Sequence, residues 1–549
     1  MRMPFLVLAL AVGLTEFSTP SRAAPMPWQI TRTEWTGADE QKFGEFVRAI
    51  AESGCTTTDE CMRGPANPYR VSDPEGLDFG ADCAKWAYML RAYFAWKNGL
   101  PFSYVDAVSG NGGDPRFNGQ SNRPQSRRDV VDRGNGIPAA AVLKVIHDSV
   151  STATFRMDAS MSGRMFPDFY SPKIHPGSVR PGTVLYDTNG HVGIVYDVLE
   201  DGRIRYLDAD PDETVTRGVY GPQFGQSPAR LGGGFKNFRP LKLVDAKRRE
   251  DGTYIGGRVV VAADEDIPDF SLEQYRGNVP GADGDGAGAL FKYNGVRLGF
   301  FEYIRASMSG GQVAFNPVYE ARTSIRSLCS ALQERLTYVD IAVQTGLDKK
   351  AHPARIPSNI YQADDEEWES YATPSRDARI KSGFAQLYQD ISRMVFLWYQ
   401  SDPRIAYDGP SLKEGLQQAY REEADACSVT YTNSAGAPVR LSFEDIVARL
   451  FTMSFDPYLC VERRWGAMRE EELATCADNA VKSRWYVAEQ RLRNQAERSF
   501  LSRAPFTLAD LENRVTGTGI DDPPPVDIKG VIDSIGHRWT YTTMKPVGF

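Results

Sequence analysis

The sequence predicts an α+β fold, with an antiparallel sheet and a packed helix in an N-terminal domain and a mainly α-helical C-terminal domain. Three observations support this prediction. Residues 183–209 contain three short runs of period-two alternation that are separated by turns, as in a β-meander. A pattern with helical spacing begins near Asp82 and ends at Gly99–Pro101. From about Pro317 onward, helical periodicity dominates the chain.

Length and composition indicate several folded units. The chain has 549 residues, of which 42% are hydrophobic and 24% charged, as is typical of a globular protein. We expect an N-terminal domain over residues 24–245, a mixed region of short strands and linkers over 246–316, a helical domain over 317–515 and a C-terminal tail over 516–549. The net charge of -8 and the lack of a basic face argue against a nucleic-acid partner.

The first 23 residues have the pattern of a secretory signal peptide. Arg2 precedes an apolar core, Phe5–Leu14, and small residues lead to a predicted cleavage site after Ala23. This core is too short to span a bilayer as a helix, which needs about 20 residues. The alternative is a short anchor that is not cleaved. We therefore expect a periplasmic or secreted protein with no integral membrane segment after signal cleavage.

The number of cysteines is odd, which leaves one of them without a partner. Cysteines tend to pair in an oxidising compartment, although sequence alone does not fix their connectivity. The proposed pairs are Cys55–Cys61, Cys329–Cys427 and Cys460–Cys476. Cys83 is then the free thiol, either buried and inert or used in chemistry.

The position of Cys83 favours a catalytic role over that of a buried, inert residue. It lies in the first turn of the predicted helix, with Asp82 as a plausible N-cap. Free N–H groups and the positive end of the helix dipole stabilise a thiolate at such a position. The same N–H groups can donate hydrogen bonds to an oxyanion.

A nucleophilic cysteine needs a base, and His191 is the best candidate among the five histidines. His191 opens the central strand of the predicted meander, and Asp208 and Asp210 lie on one face of the following strand. Either carboxylate can orient the imidazole, and we favour Asp208.

The remaining histidines give weaker signals. His147 lies in an apolar helix, His175 and His352 each precede proline in polar loops, and His537 near the C-terminus has no evident partner. The sequence contains no metal-binding motif and no phosphate-binding loop, so we expect neither a metal nor another cofactor.

Three segments together resemble the papain-like cell-wall hydrolases of the NlpC endopeptidase and CHAP amidase type. They are Pro68-Tyr69 followed by Asp82-Cys83 at a helix start, the strand PGTVLY at 181–186, and the strand GHVGIV at 190–195. The resemblance covers roughly residues 55–245. Ala84-Lys85 departs from the Ser-Gly of those families, and residues 103–180 form an insertion, expected as a polar loop and a helix over about Ile137–Ser151.

This resemblance implies a papain-like N-terminal domain and a role for each matching residue. Cys83 is implied as the nucleophile, His191 as the base and Asp208 as the orienting residue. Tyr69 is implied as a residue near the oxyanion hole, and Asp82 and Asp210 complete the predicted substrate or oxyanion site.

The sequence therefore predicts an exported cysteine hydrolase that cleaves an amide or peptide bond through a thioester. The resemblance favours peptidoglycan stem peptides as the substrate. Two alternatives stay open. One is a transglutaminase-like acyl transferase, in which an amine clears the thioester. The other is a non-catalytic binding or structural protein on a papain-like scaffold.

Overall fold

The computed structural model describes residues 27–536 apart from 111–113, 118, 162, 164, 222–223, 283, 312–313, 362–365 and 498–504. The predicted signal peptide and His537 lie outside the described residues. About 40% of the chain is helical and 19% is in strands, with a sheet-rich N-terminal part and a helical C-terminal part. The predicted mixed α and β content is confirmed.

The N-terminal part is built around a six-stranded antiparallel sheet with the strand order β3-β8-β4-β5-β6-β7. Its elements in chain order are α1 Gly37–Glu52, α2 Thr58–Arg63, α3 Cys83–Lys97, β1 Phe102–Ser109, β2 Arg123–Val130, α4 Ala139–Ser149, β3 Phe169–Tyr170, β4 Val184–Asp187, β5 His191–Val198, β6 Ile204–Ala209, β7 Val215–Val219, β8 Gly234–Phe238, β9 Leu241–Val244, β10 Lys247–Arg248, β11 Tyr254–Ile255, β12 Arg258–Val261, α5 Glu273–Arg276, β13 Phe291–Tyr293, β14 Val296–Leu298 and α6 Phe300–Met308.

Both faces of the central sheet are covered, and side-chain alternation decides which residue faces which layer. Val192 and Ile194 of β5 belong to the core that contains α3. Val195 of the same strand belongs to a second core that contains α6. Helix α3 therefore packs on the sheet directly beside β5, and its first residue lies near the start of that strand.

Helix α3 has well-defined ends. Asp82 caps the N-terminus, since its side chain accepts a hydrogen bond from the backbone N–H of Lys85 at 3.0 Å. Gly99 follows the C-cap with φ +63°, and a Cβ atom there would meet the Thr31 hydroxyl at 2.2 Å. The cap and the glycine fix where the helix begins and ends, and thereby where Cys83 lies.

The structure adds to one sequence-based expectation for this part and corrects another. Residues 246–316 contain short strands, as expected for a mixed region, and they pack onto the sheet: β12 pairs with β9 across the expected boundary at 245, and α6 covers the second face of the sheet. The insertion at 103–180 contains a β1–β2 hairpin where a polar loop was expected. Its helix is confirmed as α4.

The C-terminal part is a helical assembly with small hairpins. Its elements are α7 Pro317–Gln344, β15 Arg355–Ile356, α8 Glu366–Tyr371, α9 Pro374–Tyr399, α10 Leu412–Ala426, β16 Ser428–Thr432, β17 Pro438–Ser442, α11 Phe443–Arg449, α12 Val461–Arg464, α13 Glu470–Leu473, α14 Ala480–Ala488, α15 Gln490–Asn494, β18 Phe506–Thr507, α16 Leu508–Glu512 and α17 Ile528–Ser534. Helices α7, α9, α10 and α17 share one core. The C-terminal tail expected from 516 includes a packed helix, α17.

The three expected disulfides are present, and their Cα atoms lie 5.1, 5.9 and 5.6 Å apart in chain order. Three disulfides are compatible with an oxidising compartment. In the described part of the chain, none of the helices combines the length and the apolar character needed to cross a membrane.

The helical part packs against the edge of the sheet. Helix α7 contacts β7, the last strand, and thereby covers an edge that would otherwise expose unpaired backbone groups. At this contact Arg203 donates a hydrogen bond to the Tyr319 hydroxyl at 2.7 Å, and Arg305 pairs with Glu320 at 2.6 Å. The two parts therefore meet close to the strands that carry the candidate site residues.

Candidate active site

Cys83 is the one cysteine outside the disulfides, and it is the first residue of α3. The residue is buried, with 8% of its surface exposed. Asp82 lies beside it and binds Lys85 through both its backbone cap and a 3.0 Å ion pair. The structure thus places Cys83 and Asp82 as the helix pattern predicts.

His191 and Asp208 are hydrogen-bonded to each other. The bond joins His191 Nε2 to Asp208 Oδ2, and the Thr216 hydroxyl donates to the other carboxylate oxygen. Burial acts to raise the pKa of Asp208, but the charge of His191, its hydrogen bond and the nearby Arg379 lower that pKa to about 2. Asp208 is therefore an ionised, fixed partner of the imidazole.

The bond to Asp208 engages one ring nitrogen of His191 and leaves Nδ1 to exchange a proton with another group. Cys83 is close to the same strand start, since its sulfur lies 4.0 Å from the Gly190 carbonyl oxygen. A backbone hydrogen bond from Val192 also reaches the sulfur. The thiol therefore contacts backbone on both sides of His191.

Cys83 and His191 line one cavity of about 140 Å³. The N-terminal part also contributes Arg116, Phe117, Asn189, Asp210 and Pro211 to its wall, and the helical part contributes Ile360, Tyr361, Trp368, Glu369, Pro374, Arg376 and Arg379. The cavity is therefore formed jointly by both parts of the chain.

The electrostatic surroundings of the thiol differ from the expectation of a lowered pKa at a helix start. Burial raises the pKa of Cys83 well above its ordinary value, and the negative charges of Asp82, Asp210 and Asp208 raise it further. These effects outweigh the Val192 hydrogen bond, which lowers the pKa of the thiol. In the described state Cys83 is therefore a neutral thiol.

Asp210 lies in the cavity wall but does not orient His191. Its carboxylate pairs with Arg376 at 3.1 Å and with Arg379 at 3.5 Å, and both arginines belong to α9. Arg376 also donates to Asp212 at 2.6 Å. Of the two aspartates considered from the sequence, Asp208 is the one that contacts the imidazole.

Sequence reasoning missed the arginines of α9. Arg376 and Arg379 are three positions apart and so share one face of the helix, which was the available signal. Nothing in the sequence indicated that this face meets the β6–β7 turn, more than 160 residues away in the chain.

Tyr69 is not part of the site, contrary to the expectation drawn from the resemblance. Its hydroxyl accepts a hydrogen bond from Asn98 Nδ2 at 3.1 Å, and its ring packs on Phe46 and Phe94. Asn98 is the C-cap of α3, at the opposite end of the helix from Cys83. A 15-residue helix is roughly 22 Å long, so Tyr69 cannot contact an oxyanion at its N-terminus.

A second, larger cavity of about 440 Å³ lies between β6–β7 and the helical part. Arg376 and Arg379 line both cavities, so they form the wall between them. Glu334 also lines the larger cavity and accepts a hydrogen bond from the backbone N–H of Arg217 at 3.1 Å. Burial raises the pKa of Glu334 to about 8.

No protein-family model matches the chain, and neither the curated proteins nor the solved structures include a significant match. The site is therefore interpreted from its own geometry. It combines a thiol at a helix start, an imidazole, and a buried carboxylate that holds the imidazole.

Proposed function

We propose that this chain is an exported cysteine hydrolase that cleaves an amide bond through a thioester. The observation that carries the proposal is the His191–Asp208 hydrogen bond beside Cys83, with the thiol and the imidazole lining one cavity. Nucleophile, base and orienting carboxylate are the three roles of a cysteine hydrolase site. A cysteine helix packed on an antiparallel sheet supports a papain-like N-terminal domain.

The reaction starts with proton transfer from Cys83 Sγ to His191. The thiolate attacks the amide carbonyl carbon, and the C–N bond breaks as His191 returns the proton to the departing nitrogen. Water then attacks the thioester, His191 accepts a proton from it, and the C–S bond breaks to release a carboxylic acid. The final proton restores the Cys83 thiol.

The oxyanion of each tetrahedral intermediate is held at the start of α3. The Asp82 cap engages the N–H of Lys85, so the N–H groups of Cys83 and Ala84 are the helix-start donors for the oxyanion. The ionised Asp208 stabilises the imidazolium that forms in each step. A salt bridge holds the Asp82 carboxylate against Lys85.

The enclosure of the site implies that it opens when substrate binds. The thiol is buried, and residues of the helical part form one side of a cavity too small for an oligopeptide. Ion pairs between α9 and the β6–β7 turn hold that side in place. In this proposal the neutral thiol belongs to the closed state, and proton transfer to His191 follows opening.

Peptide amides are the substrate class we propose, with peptidoglycan stem peptides first. The support for this choice is the resemblance to cell-wall hydrolases and the signal-peptide pattern, which implies a periplasmic or secreted location. Three disulfides are compatible with that location.

A second candidate is acyl transfer to an amine. The enclosed cavity favours it, because apolar side chains such as Ile360 and Trp368 limit the access of water to a thioester. The same three residues serve both reactions, and only the acceptor differs.

One experiment tests both reactions. The mature protein is incubated with soluble muropeptides and a peptide library, with and without a primary amine, and products are identified by mass spectrometry. Hydrolysis adds one water to the substrate, whereas acyl transfer joins the amine to it. Hydroxylamine converts a thioester to a hydroxamate, and the Cys83→Ala protein is the control. Equal product in both proteins would contradict the proposal.

A further inference from the structure

A second buried group of ionisable side chains lies in the helical part. His352 follows α7, Asp456 precedes α12, and Glu489 lies between α14 and α15. One donor atom from each of the three lies within 4.8 Å of the others. The side chains of His352 and Asp456 are fully buried, and Glu489 is 0% exposed.

The orientation of His352 is that of a metal ligand. Its Nδ1 lies 2.8 Å from the Pro353 carbonyl oxygen, which can only accept, so Nδ1 is the donor of this hydrogen bond. The second nitrogen, Nε2, lies 2.8 Å from Asp456 Oδ2. A histidine that binds a metal usually donates its other N–H to a carbonyl or carboxylate in this way. Stacking on Trp485 at 4.2 Å between ring centres also fixes the ring.

The carboxyl group of Glu489 is incompletely paired. Both of its oxygens are buried, and neither accepts a hydrogen bond from a donor among the residues that the structure describes. The guanidinium of Arg493 forms an ion pair with one of these oxygens at 3.8 Å, a separation too long for a hydrogen bond. Its other close neighbour is the carboxylate of Asp456, which repels it when both are ionised. A buried charge in this position is costly unless a cation compensates it.

The charges of the cluster admit a cation. Its two carboxyl groups carry at most two negative charges, and Arg493 and Arg464 offset part of them, so a divalent ion competes with protons for the space between the carboxyls. Nitrogen and carboxylate donors together suit zinc and similar first-row metals. Zinc lies about 2.0–2.2 Å from such donors, so two donors in a tetrahedral shell are roughly 3.3–3.6 Å apart. His352 Nε2 and Asp456 Oδ2 are closer than this, at 2.8 Å, and the donor atoms of the cluster lie within 4.8 Å of one another, so metal binding requires the side chains to move.

We propose that His352, Asp456 and Glu489 form a structural site for a divalent transition-metal ion. The ion joins three segments that are distant in sequence and lie in the same minor core, which includes Tyr458 and Trp485. The backbone N–H of Tyr458 donates to the second oxygen of Asp456 at 2.8 Å, which holds this carboxylate in place. The site is separate from Cys83, so it does not depend on the proposed hydrolase activity.

Two arginines lie near the cluster, and their positive charges repel a bound cation. Arg493 donates to the Tyr486 carbonyl at 2.5 Å and Arg464 to the Ser454 carbonyl at 3.1 Å, so each guanidinium is held by other acceptors. Their charges weaken binding of the metal and favour strongly bound ions over magnesium or calcium.

Metal content and stability test the proposal on the full mature chain with its disulfides intact. Because the cluster is buried, zinc is supplied during refolding and excess ion is removed by dialysis. Elemental analysis is expected to find about one zinc per chain. Refolding with a chelator is expected to lower the unfolding temperature, and zinc, but not magnesium, restores it.

Matched variants locate the site. Glu489→Gln imitates the protonated carboxyl and is expected to lose zinc, as is His352→Gln. Glu334→Gln removes a buried carboxylate elsewhere, and Cys83→Ala removes the thiol, so both are expected to retain one zinc. If Glu489→Gln fails to fold, the visible spectrum of the wild-type protein loaded with cobalt reports the nitrogen and oxygen ligands instead.

Two results would overturn the assignment. One is wild-type protein refolded with zinc that binds none and unfolds at the same temperature with and without chelator. In that case the cluster is a buried network of side chains that share protons and bind no metal. The other is full zinc content in Glu489→Gln and His352→Gln, which places the metal elsewhere.

Discussion

Replacing Asp208 with asparagine is expected to remove the charge that holds the candidate base. In the wild-type protein, Asp208 accepts hydrogen bonds from His191 and Thr216. Asparagine offers its oxygen to Thr216 and its N–H to His191 Nε2. The imidazole then carries its proton on Nδ1 and cannot accept one from Cys83. Such a tautomer change costs about 10⁴-fold in turnover where a triad has been dissected.

The lowered pKa of Asp208 also determines how much the ionised carboxylate contributes to the stability of the folded protein. That pKa is about 2 in the folded protein and 3.8 in the unfolded chain. The difference corresponds to about 2 kcal/mol of folding free energy. Because the folded pKa is the lower one, this stabilisation is fully present above pH 4 to 5. It is lost as the pH falls toward 2, and about half is gone by pH 3.

Urea unfolding at pH 5 and pH 3 measures this difference. The advantage of the wild-type protein over Asp208→Asn is expected to shrink by about 1 kcal/mol between the two values. Asp210→Asn is the matched control, because Asp210 contacts α9 and not His191. It is expected to lose stability, because Arg376 and Arg379 lose a partner, and to keep the His191–Asp208 hydrogen bond. Equal pH dependence in the wild type and Asp208→Asn would refute the argument.

Three further changes test other parts of the structure. Arg376→Met leaves Asp212 without its arginine and Asp210 with Arg379 alone, and it is expected to cost about 3–5 kcal/mol in urea unfolding, whereas Arg484→Met breaks an exposed pair and costs less than about 1 kcal/mol; equal losses would contradict this. Serine at both Cys329 and Cys427 opens a loop with a sequence separation of 98 and is expected to cost about 5 kcal/mol, so an unchanged urea midpoint would contradict the disulfide. The pKa of Glu334 is raised to about 8, so wild-type stability falls as the pH rises from 4.5 through 8, and Glu334→Gln removes this slope; parallel stability curves would contradict the buried carboxyl.

Local patterns in the sequence predicted the elements that carry the candidate site. Period-two alternation located β4, β5 and β6, and the helical spacing after Asp82 located α3. The strand pairing then follows from short turns, which leave neighbouring strands little choice. This is why the contact between His191 and Asp208, only 17 positions apart, was predictable.

Contacts between distant segments were not predictable in this way. Arg376 meets Asp210 and Asp212 only because α9 packs against the β6–β7 turn, and no local pattern specifies that contact. For Tyr69, in contrast, a local motif match predicted a position near Cys83 that the structure does not show. The loop before α3 places Tyr69 at the far end of the helix.

The sequence pattern did not predict strand β2, because its local signal is weak. Its sequence RPQSRRDV has almost no apolar residues and begins next to a proline, which weakens a strand signal. Pairing with β1 and polar contacts hold it in place, as when Arg127 forms a 2.7 Å ion pair with Asp168.

The rate of Cys83 alkylation by iodoacetamide between pH 5 and pH 10 tests the central claim most directly, with labelled peptides measured by mass spectrometry. His191→Gln is the comparison, because glutamine keeps much of the side-chain volume and cannot act as a base. A coupled pair predicts that the substitution slows labelling and moves the midpoint of the profile to higher pH. The same rate and midpoint in both proteins would show that His191 does not act on the thiol, and would contradict the account.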